Sequence, residues 1–600
     1  MKSIILKGST VALGITLLFN TGCKDYLDQV PNDRLSIEQV FQKKGPSEQY
    51  LANVYSYIED DSNQWEAVPW IGNSDEADIT WSKYPIYQVN LLNIGPSNGL
   101  FDTWGKYYNG IRSATYFINH IDSNAEILAL NGQQQIDQYK AEARFLRAYY
   151  YFLLMRQYGP VVLVGNEELP ADAPAEAMQK PRSPFDECVN YVVSELDAAA
   201  AVLPLVPSLN GAPAETEYGR ATVGMALAVK ARLLLYAASP LYNGNTEVAN
   251  FKNKDGVALI NQTYDVQKWK RAADASKAVI DLGIYSLYKE SGTPYNPITS
   301  YQNVFLKAGN SEQIFTRPAN GLPARDIHSM PRIAGGWNGL GVTQEQVDAY
   351  FMKDGKPRTE SSLYSETGFT SVNGVQVYNM YMNREPRFYA SVTYHNSMFQ
   401  GGKMTSAAPI SFYADGPNGS NGHPTDWSRT GYLIRKNVGT LTNNGSGGNG
   451  ATQRRPLVLF RLGEVYLNYA EALNEYDPAN PDIARYLNLI RERAGIPQYG
   501  AGTDALPVPA NQIAMRNAIR AERRVELAFE SIRWFDIRRW KIAPEVMGQM
   551  HGMDVSKSNN DFFKRVVASQ HLFRAPASYW SPIRQYAMDR GSLLVQNPGW

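Results

Sequence analysis

Two cysteines and six histidines in 600 residues leave little material for disulfide or metal chemistry. The histidines, at 120, 328, 395, 423, 551 and 571, include no pair at metal-ligand spacing. No H-E-x-x-H, Walker A or G-x-S-x-G sequence is present. The literal G-x-G-x-x-G match at 445–450 is followed by Pro456 rather than an opening helix, and reads as loop composition. Net charge is also lacking: 58 basic residues balance 58 acidic ones, which argues against nucleic acid as a partner. Beyond Cys23 there is no apolar run long enough to cross a bilayer. No cofactor, no metal ion and no catalytic residue is expected.

What is there begins at the N-terminus. Lys2 and Lys7 precede the apolar core VALGITLLF (11–19), and Thr21-Gly22 lead directly to Cys23. Nine apolar residues are too few to span about 30 Å of hydrocarbon, so this is an export signal rather than a membrane anchor. A cysteine at the cleavage point predicts removal of 1–22 and lipidation of Cys23. Asn20 stands where the lipidation motif usually has leucine; the alternative is an ordinary secretory peptide. With Cys23 acylated, Cys188 is the only thiol left and no intramolecular disulfide can form, so stability has to come from core burial. Cys188 falls in a helical pattern and reads as a small buried thiol.

Aromatics are abundant, with 38 Tyr and 11 Trp, many beside Gly, Asn and Pro. Most are expected in the core. The rest suit a surface that meets a sugar ring, whose apolar face and polar rim match theirs.

Helical periodicity marks 104–121, 133–158, 183–203, 221–238 and 266–282, then 462–473, 481–494 and 511–532. The Ser183-Pro184 pair reads as an N-cap followed by Pro at the first helical position. Trp269 to Tyr285 resembles one tetratricopeptide unit, but no clean 34-residue period follows, so the repeats are degenerate. Residues 286–460 differ, rich in Gly, Asn, Ser, Pro and Tyr, with alternating runs at 374–381 and 388–394 that predict hairpins, and an exposed loop at 441–450. The fold class expected is mainly α: tetratricopeptide-like helix pairs forming a scaffold, with an irregular loop-rich region containing short β hairpins. Loops on such a scaffold are where binding residues concentrate.

Two acidic groups raise the question of chemistry. Asp75, Glu76 and Asp78 lie between Trp70 and Trp81, and two carboxylates near aromatics could hydrolyse a glycoside or merely accept hydrogen bonds from sugar hydroxyls. Binding needs only the second role. Glu522, Glu526 and Glu530 form a ladder beside Arg516, Arg520 and Arg524. Like charges four apart repel, so structural ion pairing is expected, in part through Arg523–Glu526 and Glu530–Arg533.

Several segments together resemble the SusD/RagB family of nutrient-binding outer-membrane lipoproteins. K-D-Y-L-D-Q-V-P (24–31) follows Cys23, then N-S-D-E-A-D-I-T-W (73–81), W-x2-Y-Y-N-G-I-R (104–112) and A-E-A-R-F-L-R-A-Y-Y-Y (141–151). The C-terminal half adds T-Q-E-Q-V-D-A-Y-F-M-K-D-G (343–355), R-L-G-E-V-Y-L-N-Y-A-E-A-L-N (461–474), I-R-E-R-A-G (490–495), R-x-E-R-R-V-E-L-A-F-E (520–530), W-F-D-I-R-R-W (534–540) and N-P-G-W (597–600). Only about 355–455 is not distinctive. The resemblance implies an N-terminal helical part (23–285) and a C-terminal part (286–600) with the loop-rich insert 286–460, together one compact globule. It implies lipid anchoring at the outer membrane, facing outward, with Lys24-Asp25 resembling a surface-export signal. It also implies capture of an oligosaccharide, or a peptide in RagB-type branches, and delivery without chemical change to a SusC-like TonB-dependent transporter. A lipid-anchored glycoside hydrolase is the enzymatic alternative, and a scaffold that binds only protein is the structural one. The helix pairs, with Arg144 and Arg147 on polar faces, are expected to meet the transporter.

The expected ligand contacts are Asp75, Trp81 and Tyr84 near the D-E-A-D segment, Tyr295 and Tyr301 on a Pro-flanked stretch, and Trp337 within Gly335-Gly336-Trp337-Asn338-Gly339. A tryptophan between glycines has no bulky neighbours to bury it. The family places contacts near D-E-A-D and in the loop before T-Q-E, which raises the same residues.

Overall fold

The structure is a computed structural model that describes residues 37–64, 68–168, 174, 179–209, 212–213, 215–318, 322–441 and 453–600. The signal segment, Cys23, the 442–450 part of the expected loop and the glycine match at 445–450 lie outside the described residues. Helix makes up 44% and strand 11%, and every sheet among the described residues has two strands.

The helices follow the apolar periodicity and stop where local chemistry stops them. Trp104–His120 leads through a 3-10 turn to Ala125–Tyr158, whose first turn is capped by Asn124 accepting the Ile127 N–H at 2.9 Å. Gly132, at φ 73°, interrupts that helix, so 133–158 is its second segment, and 125–131 is a turn the periodicity did not reveal. Phe185–Ala200 follows, with Pro184 in the N-cap place expected for Ser183. Val223–Ala238, Gln267–Asp281, Leu462–Tyr476 and Asp482–Ala494 complete a row in which each helix packs on its neighbour. This is the expected tetratricopeptide-like scaffold.

Two expectations fail locally. The 511–532 helix ends at Glu526, because Phe529 and Ser531 both turn to φ 61° before the chain re-enters helix at Arg533–Arg539. The Phe529 N–H freed by that turn is taken by the buried Glu76 carboxyl at 3.1 Å. The run at 388–394 is a short helix, Pro386–Ser391, followed by a two-residue strand; Pro386 in the first turn presets helical φ. The run at 374–381 does belong to a hairpin, Phe369–Val372 with Val375–Tyr378, turned at Asn373-Gly374 by two positive-φ residues.

A large apolar cluster runs from Phe41 through the helical row to Ile583, so residues on both sides of position 285 share one core. A second cluster, including Tyr350, Phe388, Tyr432 and Phe529, fills the loop-rich part. Most of its tyrosines are therefore core residues rather than surface.

The glutamate ladder is structural, but its partners come from other elements. Glu522 meets Arg387 at 2.6 Å and Arg491 at 2.8 Å. Glu526 meets Arg387 at 2.9 Å, Arg461 at 2.8 Å and also Arg493, while Glu530 meets Lys436 at 2.6 Å and Arg461 at 2.7 Å. The expected short-range pairs do not form: Arg523 bonds Asp536 at 2.6 Å, and Arg533 bonds Asp75. Removing one member of such a buried set strands the others, so the network fixes how helix and loops dock. Arg147 is likewise no surface residue. Its guanidinium is buried against Glu195, Thr115 and Asn166, and cannot serve the wet contact expected of it.

Candidate functional site

The strand Ala77–Ile79 pairs antiparallel with Leu340–Val342, Ile79 opposite Leu340. The ladder extends one step further, with the Thr80 N–H donating to Gly339 O at 3.0 Å and the Thr80 hydroxyl to Asn338 O at 2.9 Å. This register carries the segment after Thr80 alongside the segment before Leu340, and so brings Trp81 to Trp337. The glycine turn is pinned from behind by the Trp337 N–H on Ile327 O at 2.7 Å and the Gly339 N–H on His328 O at 2.8 Å. Asn338, at φ 52°, donates to Asp426 O at 3.1 Å, and its side-chain oxygen accepts the Arg332 N–H at 3.2 Å.

The glycines are required here by close approach. A Cβ on Gly339 would lie 2.3 Å from the Trp81 ring, and one on Gly336 would lie 2.1 Å from Met330 O. The Trp81 ring can therefore approach the Gly339 backbone closely. Its ring meets Trp337 edge-on at 6.1 Å, Tyr84 at 5.6 Å and His328 at 5.0 Å. His328 packs on Trp337 at 5.1 Å, and burial lowers its pKa to about 2, which keeps it neutral and part of the apolar base. Trp81 is only 8% exposed, whereas Trp337 is 40% exposed and Tyr84 half-buried. Trp337 thus offers its surface, Trp81 supports it, and Tyr84 flanks them with Lys83 Nζ 5.2 Å from the Tyr84 ring centre.

The polar edge comes from 415–429, which sequence reasoning passed over as undistinctive. The Trp81 Nε1–H donates to Asp426 Oδ1 at 3.0 Å, a bond that joins residues 345 positions apart. The Asp426 N–H donates to His423 Nδ1 at 3.0 Å, and Trp427 follows, half-buried. The H-P-T-D-W sequence beside a glycine-rich run was the available signal. Its partner was beyond the reach of any local pattern.

The other expected contacts fall elsewhere. Asp75 is 1% exposed and bound to Arg533 through both oxygens, at 2.7 and 2.8 Å, with Arg524 3.0 Å away. Burial pushes its carboxyl up, but Arg524 and Arg533 outweigh burial and hold it below the usual range. Tyr301 is fully buried, donating to Glu526 O at 2.5 Å and accepting from Lys436. Neither can touch a ligand, and both are corrected to structural residues of the ion network. Tyr295 is half-exposed with its hydroxyl on Arg493 O at 2.6 Å, and among the described residues no ring contact links it to the Trp81 group. Glu76 and Asp78 are also buried, Asp78 against His571 at 3.3 Å, so this acidic trio opens onto no cleft where a glycoside could sit between two carboxylates. Cys188 is buried as expected, its thiol pushed up to about 12 by burial. Cavities of about 360 and 280 Å³ lie on the helical side, lined by residues such as Tyr55, Arg220 and Tyr285, away from the aromatic face.

The described residues thus form a helical-repeat scaffold that presents an exposed aromatic face on pinned loops. Residues 290–600 match the family model described as the SusD family, and residues 25–235 match a model described as "Starch-binding associating with outer membrane". The chain belongs to the SusD family. It is similar to SusD-like protein P2 of Formosa agariphila, 24% identical over 99% of this chain and 100% of that one. Among solved structures, a SusD-like protein of Bacteroides fragilis matches with TM-score 0.74 and 25% identity over 94% of this chain and 99% of that one. A laminarin-binding SusD-like protein shares the fold, with TM-score 0.58 and 18% identity over 93% of this chain and 100% of its own. No helix among the described residues is long and apolar enough to cross a membrane.

Proposed function

We propose that this protein is a cell-surface oligosaccharide-binding lipoprotein, anchored at the outer membrane through Cys23, which captures glycan and passes it unchanged to a SusC-like TonB-dependent transporter. One observation carries the binding part: Trp337 stands 40% exposed in a turn held rigid by backbone bonds to Ile327 and His328, with Trp81 beneath it and Tyr84 beside it. A flat apolar face flanked by polar groups complements a pyranose, which also has one apolar face and a hydroxyl rim. Prior ordering matters because each sugar hydroxyl trades a water bond for a protein bond at small net gain. The description of the N-terminal family model, starch-binding with outer-membrane association, agrees with this reading. Non-enzymatic handling is part of the proposal and is supported by the burial of Asp75, Glu76 and Asp78.

Titration calorimetry against neutral oligosaccharides tests ligand capture, and co-purification of native protein with a large β-barrel tests delivery. Cys23→Ala should release the protein from membranes with its fold intact. Retention in the membrane fraction would place the anchor elsewhere.

A further inference from the structure

The aromatic face has a polar arm whose atoms are set up for a donor–acceptor pair. Asp426 Oδ1 is occupied, accepting the Trp81 indole N–H at 3.0 Å and the Thr425 hydroxyl at 3.1 Å. Its other oxygen, Oδ2, accepts no hydrogen bond among the described residues, its near neighbour being His423 Nδ1 at 3.7 Å, and the side chain is 24% exposed. His423 Nδ1 accepts the backbone N–H groups of Asp426, at 3.0 Å, and Thr425, at 3.3 Å. A neutral imidazole that accepts at Nδ1 carries its proton on Nε2, so the ring, 37% exposed, presents a donor away from the turn. One short turn therefore offers a carboxylate acceptor and an imidazole donor next to the Trp81–Trp337 pair.

The turn is fastened to the aromatic loop rather than hanging from it. Asn338 donates to Asp426 O at 3.1 Å, Asn418 accepts the Ile333 N–H at 3.0 Å, and Arg332 donates to Pro417 O. Positive charge nearby is committed or out of reach: Arg429 donates to Thr80 O at 2.7 Å and faces Asp78 at 3.6 Å, while Arg332 donates Nη2 to Pro417 O and keeps its unpaired Nη1 buried away from solvent. Lys83, beside Tyr84, is the exposed cation of this edge. An anionic ring would have to approach the Asp426 carboxylate without a guanidinium fork to receive it.

We propose that Asp426 and His423 are the specificity-determining residues of this face, and that they select a neutral sugar ring by reading two adjacent hydroxyls, one donating to Asp426 Oδ2 and one accepting from His423 Nε2. The proposal rests on the glycan-binding reading above and names the ligand class within it.

The test is calorimetry on the intact protein with malto-, laminari-, xylo- and mannohexaose and with oligogalacturonate as the acidic probe. The variants are Asp426→Asn, His423→Ala and Trp337→Ala. Asp426→Asn keeps an oxygen for the Trp81 N–H and turns the free acceptor into a donor, so the fold is spared. The expected result is binding of at least one neutral hexasaccharide, with affinity lost at least tenfold in Asp426→Asn and three- to tenfold in His423→Ala, melting temperatures being unchanged. Losses in Trp337→Ala with both polar variants within twofold of wild type would overturn the polar arm and leave the aromatic platform standing. Binding of oligogalacturonate alone, or of no probe, would overturn the ligand class. Unchanged affinity in Trp337→Ala would sink the underlying reading instead.

Discussion

Asp75→Asn separates a structural from a ligand-contacting role for the residue that sequence reasoning placed in the site. The carboxylate receives Arg533 Nε at 2.7 Å and Nη2 at 2.8 Å, with Arg524 at 3.0 Å. Asparagine keeps one acceptor but turns an amide N–H₂ toward guanidinium, losing the charge and the bonds of one oxygen. Breaking a buried pair from one side costs about 3–5 kcal/mol, because the opposite charge stays buried without compensation. At about 2.1 cal/mol/K of unfolding entropy per residue, a chain of 600 residues loses roughly 3 °C in Tm if it unfolds in one transition. Differential scanning fluorimetry reads this directly, and Trp534, which bonds Asn73 at 2.8 Å and packs on Trp70 at 4.8 Å, reports on the same region. Oligosaccharide affinity should stay within twofold. A tenfold loss of affinity at unchanged Tm would refute the assignment of Asp75 to the buried network.

Glu76 should act on stability in the opposite sense to Asp75. Burial raises its pKa to about 8 against a usual 4.5, so the folded state holds a proton that the unfolded chain gives up, and stability falls as pH rises from about 4.5 to 8. Glu76→Gln lacks that penalty, and its Tm relative to wild type should climb between pH 5 and 9 by up to about 4 °C; a flat difference contradicts a neutral buried Glu76. Gly339→Ala drives a methyl to 2.3 Å from the Trp81 ring, so calorimetry should show roughly tenfold weaker sugar binding, with an overpacking cost of about 1–3 kcal/mol seen as a small Tm drop. Full affinity there would mean that the Trp81 position is irrelevant to the ligand. The Cys188 thiol, pushed up to about 12, should resist Ellman's reagent at pH 8 and react once per chain after unfolding; fast reaction of the native protein would contradict its burial.

The scaffold was legible because its signals are local. Apolar residues at three- and four-residue spacing place the helices, a preference that needs no distant partner. The exposure of Trp337 was legible for the same reason, since its glycine neighbours along the chain bring no side chains to cover it. Asp75 and Tyr301 misled because acids and aromatics near prolines and tryptophans look alike whether they meet a sugar or an arginine. What decides is Arg533, 458 positions away from Asp75, and Glu526, 225 away from Tyr301. Asp426 was missed through the same distance effect in reverse: its tie to Trp81 spans 345 positions and leaves no periodic trace. The break after Glu526 is accompanied by Glu76 receiving the Phe529 N–H, again a contact that helix propensity does not contain.

If the exposed, pinned tryptophan binds the sugar, Trp337→Ala shows it most directly, by calorimetry with the neutral hexasaccharide that binds best. Truncating a central stacking aromatic commonly removes about 1–2 kcal/mol or more, so affinity should fall roughly ten- to thirtyfold. The ring is 40% exposed and its turn is held by backbone bonds, so the melting temperature should stay within about 1 °C of wild type. Wild-type affinity in this variant, or a large loss of stability, would mean that Trp337 is not the sugar-binding surface.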